Sequence, residues 1–352
     1  YITSLGVNCV EFLPLSEFDT DSKNSYQWGY MPSHYFSLSS SYGKPEEFQQ
    51  CVQYMHQKGI AVILDVVYNH AGEFNDLLKW DKKYYFRHDT QGRLTNVSGC
   101  GNDLNVDMPM VRKLILDSLQ LLLTVYNVDG FRFVFAEILG VETLNYLSES
   151  LKKTKPNVIL IAEPWSFQGH IAYRLKGGNY SCWNDGYREF LLKYIQGQGN
   201  VEGFKYFLEG STGFLCKKAC ESVNYTESHD DYCWRDRLSG SFEEVLRKTH
   251  CMFATLFLSL GIPMIAEGQD FLRTKNGVRN TYNRGDLNLL NYSDLANNQI
   301  THLYVKNLLA LRASPKGEIL KVDRPLKSYL KYFYVPNCSA ISVLFNANNM
   351  LG

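Results

Sequence analysis

The chain has 352 residues, of which 45% are hydrophobic and 20% are charged, so it can bury the core of one large domain with a small appendage. Lysine and arginine together number 36, as do aspartate and glutamate. This balance gives no net field that would draw the protein to nucleic acid or to an anionic membrane. The composition therefore favours an uncharged partner.

Two further classes of protein are disfavoured. The longest apolar stretch, residues 252–266, contains Gly261 and Pro263 and is shorter than the ~20 residues of a membrane-spanning helix. Nine cysteines form an odd number at irregular spacings, which favours reduced thiols over a secreted disulfide framework. Cys216 and Cys220 have no accompanying Cys-x-x-Cys or histidine ligand set. We therefore expect no metal and no cofactor.

In chain order, short β-branched runs alternate with longer helical patterns, which is typical of a parallel α/β sheet or barrel. Seven strands are predicted, at residues 7–13, 60–67, 128–135, 158–162, 181–184, 222–226 and 262–266. Six amphipathic helices are predicted, at residues 45–58, 109–126, 141–153, 202–208, 242–260 and 299–313. After Pro315 the pattern alternates around residues 329–335 and 340–345, which predicts antiparallel strands.

The predicted fold is a (β/α)8 TIM-type barrel. A closed barrel of this type needs eight strands, and the chain starts at a helix-to-strand boundary, so we expect the remaining strand to precede Tyr1. The barrel is expected to occupy residues 1–314, with its amino-terminal part missing. Residues 315–352 are expected to begin a C-terminal antiparallel β-sheet domain.

Polar residues interrupt the apolar runs where functional groups of a barrel lie, at the carboxyl ends of strands. Any one of these segments is weak evidence, because charged residues at strand ends often only brace loops. Four such segments in one chain are stronger evidence. They contain Asp65, Asn69 and His70, then Asp129 and Arg132, then Glu163 and Trp165, and finally Glu227, His229 and Asp230.

In this order, the four segments resemble the four signature regions of the α-amylase superfamily. Other segments resemble those of starch- and glycogen-debranching enzymes of the isoamylase type, and the similarity covers residues 1–314. These segments are Glu11-Phe-Leu-Pro14, Trp28-Gly-Tyr30-Met-Pro32, Ser41-Tyr-Gly43, Gly99-Cys-Gly-Asn102 with Leu104-Asn105, and Trp183-Asn-Asp-Gly-Tyr187-Arg188.

The resemblance implies a role for each matching position. Glu163 matches the general acid/base, Asp230 the second carboxylate that supports the charged transition state, and Arg132 the guanidinium that orients the nucleophile. The alternative for each residue is a purely structural role in packing or loop bracing. The remaining implied positions contact the sugar or support the site, namely the hydroxyl-binding His70 and His229, the stacking Tyr30, Trp165 and the structural carboxylate Asp65.

The catalytic nucleophile is the position at which this sequence departs from the family. A retaining glycosidase needs two carboxyl groups ~5–5.5 Å apart, and the family has an aspartate where this chain has Val134. Alternation along the strand would place Arg132, Val134 and Ala136 on one face and would exclude Asp129 and Glu137 from it. Asp230 could instead activate a water for inversion, which requires a gap of roughly 6.5–9.5 Å.

Other site positions also differ from the family pattern. Glu137 stands where the family commonly has Ser, Asp231 where it has Gly, and Glu267-Gly-Gln269 where Gly-Asp-Glu is usual. An engineered removal of the nucleophile would normally introduce Asn or Ala. Several changed positions therefore favour a long-standing loss of hydrolytic function.

The first of three functional hypotheses is a non-catalytic subunit that binds α-glucan and a catalytic isoamylase subunit in a hetero-oligomer. Among debranching relatives, a missing nucleophile resembles the second isoamylase-type subunit of plants, which implies a location in the plastid stroma and a role in amylopectin synthesis. The second hypothesis is a debranching hydrolase with an unorthodox or externally supplied nucleophile. The third is a stand-alone glucan-binding module.

Overall fold

The computed structural model describes residues 1–20, 26–334 and 340–349. Its main feature is a sheet of seven parallel strands that are neighbours in chain order. All seven predicted strands are confirmed. Most are shorter than predicted, because their ends continue into loops that carry the polar segments. The strands are β1 (Cys9–Phe12), β2 (Ala61–Val66), β3 (Gly130–Phe133), β4 (Ile159–Ala162), β7 (Ser181–Asn184), β8 (Ser222–Asn224) and β9 (Ile262–Pro263).

Four short strands form two small antiparallel sheets. β5 (Trp165–Ser166) pairs with β6 (Gly169–His170) in a hairpin directly after β4. β10 (Lys331–Tyr334) pairs with β11 (Ile341–Leu344), which confirms the antiparallel strands expected near the end of the chain. Val335, the last residue of the first predicted strand, lies outside the described part of the chain.

The helices surround the parallel sheet, and all six predicted helices are present. Among the described residues, no helix is long and apolar enough to cross a membrane. The helices are α1 (Ile2–Leu5), α2 (Pro45–Gln57), α3 (Leu77–Trp80), α4 (Lys82–Tyr85), α5 (Pro109–Thr124), α6 (Ala136–Thr154), α7 (Ala172–Leu175), α8 (Asp185–Ile195), α9 (Val201–Leu208), α10 (Phe242–Leu258), α11 (Gly285–Asn288), α12 (Ser293–Asn297) and α13 (Gln299–Ala313).

Two helices differ from the sequence-based expectation. Helix α6 begins five residues earlier than predicted and is interrupted at Gly140, where φ is 73°. Helix α8 was missed, although Asn184 caps it by accepting a hydrogen bond from the backbone N–H of Tyr187. Asparagine at this position is a recognisable start signal for a helix. The predicted fold class, a curled parallel sheet covered by helices as in a (β/α)8 barrel, is nevertheless confirmed.

Alternation along the strands separates two apolar layers. One set of side chains packs outward against the helices, for example Leu64 on β2 against the core that includes Ile115 of α5. The other set, including Ile63 and Ile161, fills the interior of the barrel with Trp183. Burying one such aliphatic side chain contributes about 1.5–3 kcal/mol. The inward set continues toward the carboxyl ends of the strands, where it becomes polar.

Candidate functional site

The register of three strands brings the central charged residues together. Asp65 on β2 is paired with Arg132 on β3, and Arg132 is paired with Ile161 on β4, two residues before Glu163. Nη1 of Arg132 donates to both carboxylate oxygens of Asp65 at 3.0 Å. The guanidinium carbon also lies 4.0 Å from the ring centroid of Trp183. All three charged side chains are buried, so the guanidinium compensates two carboxylates inside the barrel.

The guanidinium of Arg132 is only partly satisfied. Its Nη2 lies 3.1 Å from Oε1 of Glu163, within ion-pair distance. This contact lacks hydrogen-bond geometry, and both Nε and Nη2 are buried without a hydrogen-bond partner among the described residues. Unpaired buried donors of a charged group are costly. Two donors of Arg132, which lies two residues before Val134, therefore lack an acceptor among the described residues.

Glu163 lies at the end of β4 and is positioned for proton transfer. Burial raises its pKa to about 7, an effect that Arg132 opposes and the carboxylate of Asp230 reinforces. Its Oε2 accepts a hydrogen bond from the backbone N–H of Phe135 at 2.7 Å. A carboxyl group with a pKa near neutrality can hold and release a proton at physiological pH. The general-acid half of a glycosidase pair is thus chemically plausible at this position.

Tyr30 connects Asp65 to His229. The hydroxyl of Tyr30 donates to Asp65 and lies 2.8 Å from Nε2 of His229, so it accepts from that nitrogen. The two rings stack with centroids 5.3 Å apart and planes 19° apart. Burial lowers the pKa of His229, which favours the neutral ring. These hydrogen bonds fix the orientation of Tyr30 and His229 side by side in the site.

His70 lies beneath Tyr30. Burial lowers its pKa to about 4, so the ring is neutral at physiological pH. Its Nε2–H donates to the backbone carbonyl of Tyr30 at 2.7 Å, and its Nδ1 accepts from the side-chain amide of Asn69 at 2.9 Å. Both ring nitrogens are therefore bonded to protein groups. The expected contact with a sugar hydroxyl would require one of these two bonds to break.

The outer part of the site is open to solvent. The side chain of Asp230 is 50% exposed and lies 3.5 Å from Nε2 of His229. Trp165 is partly buried on the β5–β6 hairpin, with its ring centroid 6.5 Å from that of Trp183. A half-exposed carboxylate and an indole ring thus lie in the outer part of the site near Trp183, and this solvent-open part with Asp230, His229 and Trp165 is referred to as the cleft.

The backbone is irregular at the nucleophile position. Glu163 N–H donates to the carbonyl of Phe133 at 3.0 Å, but the next bond runs from Ala136 N–H to the carbonyl of Glu163 at 2.8 Å. One extra residue is therefore inserted between Phe133 and Ala136, and Phe135 adopts a left-handed conformation with φ 42°. The predicted alternation through residue 136 is wrong, because the strand ends in a bulge and Ala136 begins α6. Val134 is buried there at 6% exposure.

The two neighbouring acids are engaged elsewhere. Asp129 lies at the opposite end of β3 and bonds to Nε2 of His56 and Nζ of Lys155, each at 2.7 Å. Glu137, in the first turn of α6, accepts a hydrogen bond from the hydroxyl of Ser166. What excludes Glu137 from the nucleophile position is its place in the first turn of α6, and not the alternation along the strand that the sequence predicted.

Comparison with known proteins agrees with this geometry. Residues 1–96 match the family model "Alpha amylase, catalytic domain". A pullulanase of Bacillus subtilis (strain 168) is 32% identical over 374 residues, covering 94% of this chain and 52% of the relative. The chloroplastic isoamylase 3 of Oryza sativa subsp. japonica is 29% identical over 403 residues, covering 92% of this chain and 51% of the relative.

The structural comparison gives the same result. The crystal structure of the type I pullulanase of Bacillus subtilis in complex with maltose has a TM-score of 0.87 and 30% identity, covering 95% of this chain and 53% of that chain. This chain is a homologue of the debranching enzymes of the α-amylase superfamily. It spans about half the length of these relatives.

Two site residues of this debranching-type barrel were missed in the sequence. Glu11 on β1 is paired with Ile63 and so lies on the inward face. Burial and the charge of Asp65 raise its pKa, while Arg132 opposes the rise. The segment Glu11-Phe-Leu-Pro14 was quoted for the family resemblance, and inward parity on a predicted strand was the signal that could have identified Glu11 as a site residue.

Lys275 is the second missed residue. It is buried at 2% exposure, and its Nζ donates to the backbone carbonyls of His229 at 3.0 Å and Asp231 at 2.6 Å. The ammonium group therefore fixes the loop that carries His229 and Asp230. No local pattern in the sequence signals this role, because it depends on a contact between segments 46 residues apart.

Proposed function

We propose that this chain is a non-hydrolysing, α-glucan-binding homologue of debranching enzymes. The observation that carries the proposal is Val134 beside Arg132, whose Nε and Nη2 have no hydrogen-bond partner in the described part of the chain. A retaining mechanism requires a carboxylate that forms a covalent glycosyl intermediate. Glu163 can protonate a leaving oxygen, but valine has no lone pair with which to attack the anomeric carbon.

Glucan binding does not depend on the nucleophile. Tyr30, His229 and Trp165 offer ring faces and polar tips, and Asp230 offers an exposed carboxylate for hydroxyl groups. The related pullulanase of Bacillus subtilis was crystallised with maltose. These features support malto-oligosaccharides and branched α-glucan as ligands of the cleft.

We propose further that the chain acts beside a catalytic debranching subunit in a hetero-oligomer. A maintained barrel that lacks its nucleophile must serve something other than turnover, and guiding glucan to an active partner is one such role. A plant-type second isoamylase subunit in the plastid is the specific form of this proposal, and the chloroplastic name of the rice relative supports it. The assignment of residues 1–314 to the barrel and 315–352 to the beginning of a second domain belongs to the same proposal.

Calorimetry with maltohexaose tests the glucan-binding part. We expect the wild-type chain to bind, Trp165→Ala to bind more weakly, and the combined Tyr30→Ala and His229→Ala variant to lose binding. Tyr54→Ala is the matched control, because Tyr54 is 55% exposed on α2 and away from the cleft. Absence of wild-type binding, or wild-type affinity in both cleft variants, would refute the proposal.

Light scattering tests the partnership. A stable interface buries at least ~1,000 Å², so a mixture with a catalytic isoamylase should form a heavier species at micromolar concentrations. Two species that remain independent would exclude a subunit role and would leave a glucan-binding module.

A further inference from the structure

The β5–β6 hairpin, residues 165–170, is hydrogen-bonded to Glu137, which lies three residues after Val134. The hydroxyl of Ser166 donates to the carboxylate of Glu137 and accepts from the backbone N–H of Gln168 at 3.0 Å. A Cβ atom on Gly169 would lie 3.7 Å from Oε1 of Glu137, in ordinary contact. The carboxylate therefore bonds to one strand of the hairpin and lies near the other. Glu137 is one of the positions at which this chain departs from the debranching pattern.

The turn of this hairpin carries an exposed aromatic ring. Phe167 is 79% exposed, and its ring lies close to two other segments. The ring of Phe135 lies with its centroid 5.7 Å away at an interplanar angle of 58°. Gly99 is also close, since a Cβ there would approach Cε2 of Phe167 to 3.1 Å. A large apolar ring that is exposed and adjoins a second aromatic ring is suited to a ligand surface.

The ring pair lies next to the cleft. Phe135 directly follows Val134, and its N–H donates to Glu163 at 2.7 Å. The hairpin begins two residues after Glu163 with Trp165, which already lines the cleft. Phe135 and Phe167 thus place two further aromatic rings on the segments that follow Val134 and Trp165 in the chain.

We propose that Glu137 is a positioning residue that holds the hairpin so that Phe167 and Phe135 form an aromatic platform for a pyranose ring of a bound α-glucan. This inference rests on the proposed glucan-binding function and adds a site to it. In this arrangement the changes at positions 134 and 137 act together: one removes the attacking group, and the other fixes an apolar binding surface beside it. Pyranose rings present an apolar C–H face, which suits stacking on phenyl rings.

Calorimetric titration of the full chain with maltohexaose tests this inference. Loss of a stacked ring is worth about 1.4 kcal/mol, so Phe167→Ala should weaken affinity about tenfold. Glu137→Ala should weaken it several-fold with an unchanged melting temperature, whereas Glu137→Gln should retain most of the affinity because its amide oxygen still accepts from Ser166. Ser166→Ala should match Glu137→Ala, and the double variant should be no weaker than either single variant.

Phe214→Ala is the matched control. Phe214 is 82% exposed in the loop before β8, at the opposite end of the barrel, so this substitution should leave affinity unchanged. If Trp165→Ala weakens binding but Phe167→Ala and Glu137→Ala do not, the platform is overturned and the glucan-binding cleft stands. If the wild-type chain does not bind maltohexaose, the proposed function itself fails and takes this inference with it.

Discussion

The two walls of the cleft differ in how closely they match the expected debranching pattern. One wall, at Tyr30, Asp65 and Arg132, has the residue types expected from the family resemblance, joined in a hydrogen-bond network. The other wall has Val134 and Glu137, where the family resemblance leads us to expect Asp and Ser. The difference follows from what each group supports. Removing Arg132 would leave two buried carboxylates uncompensated, whereas with valine at position 134 the guanidinium of Arg132 still has Asp65 and Glu163 as counter-charges.

The largest effect that separates the two walls is expected for Arg132→Leu. This substitution leaves Asp65 and Glu163 buried without their common counter-ion, and we expect a loss of about 3–5 kcal/mol in the free energy of unfolding. Urea denaturation followed by circular dichroism measures it. The matched substitution Arg284→Leu removes an exposed pair with Asp286 and should change stability by no more than about 1 kcal/mol. Equal losses at the two sites would contradict the comparison.

The sequence alone predicted the wall with Asp65 and Arg132 better than the wall with Val134 and Glu137. The strands and the positions of Asp65, Arg132 and Glu163 followed from short β-branched runs that end in polar residues, since such runs have a fixed period. The bulge at Phe135 was not predicted, because it depends on the backbone hydrogen bonds of Glu163 with Phe133 and Ala136. The hydrogen bond from Ser166 to Glu137 was missed for the same reason, as it joins segments 29 residues apart.

The second prediction concerns pH. Burial raises the pKa of Glu163 to about 7, above its ordinary value of 4.5, so the folded chain holds a proton that the unfolded chain releases first. The contribution of Glu163 to the free energy of unfolding is fully present below pH 4.5. It is lost as the pH rises to about 7, by at most about 1.4 kcal/mol per pH unit. We expect Glu163→Gln to remove this part of the pH dependence in denaturation series between pH 4.5 and 8.

The exposed glutamate Glu318, which pairs with Lys321, provides the control for the pH series. Glu318→Gln should leave the slope of the wild-type chain unchanged. A Glu163→Gln variant with the wild-type slope would mean that Glu163 is ionised in the folded chain and cannot act as a proton donor near neutral pH.

The smallest effect is expected at the opposite end of the barrel. Lys155 bonds to Asp129 at 2.7 Å, but its side chain is 27% exposed and Asp129 keeps His56 and the backbone N–H of Val62 as partners. Lys155→Met should therefore cost about 0.5–1 kcal/mol. Urea denaturation followed by circular dichroism measures this change in the free energy of unfolding. A loss as large as that of Arg132→Leu would show that ion pairs at both ends of the barrel are equally critical.

The release of reducing ends from amylopectin by the purified chain, free of any partner, tests the central claim most directly. Loss of a nucleophile lowers turnover by roughly 10⁶ in a serine protease, so we expect no release above the buffer control. Val134→Asp should restore at most weak activity, since Asp231 and Glu267 also depart from the family pattern and the placement of supporting groups matters. Substantial release by the wild-type chain that disappears in Glu163→Gln would contradict the account and identify the barrel as a working hydrolase.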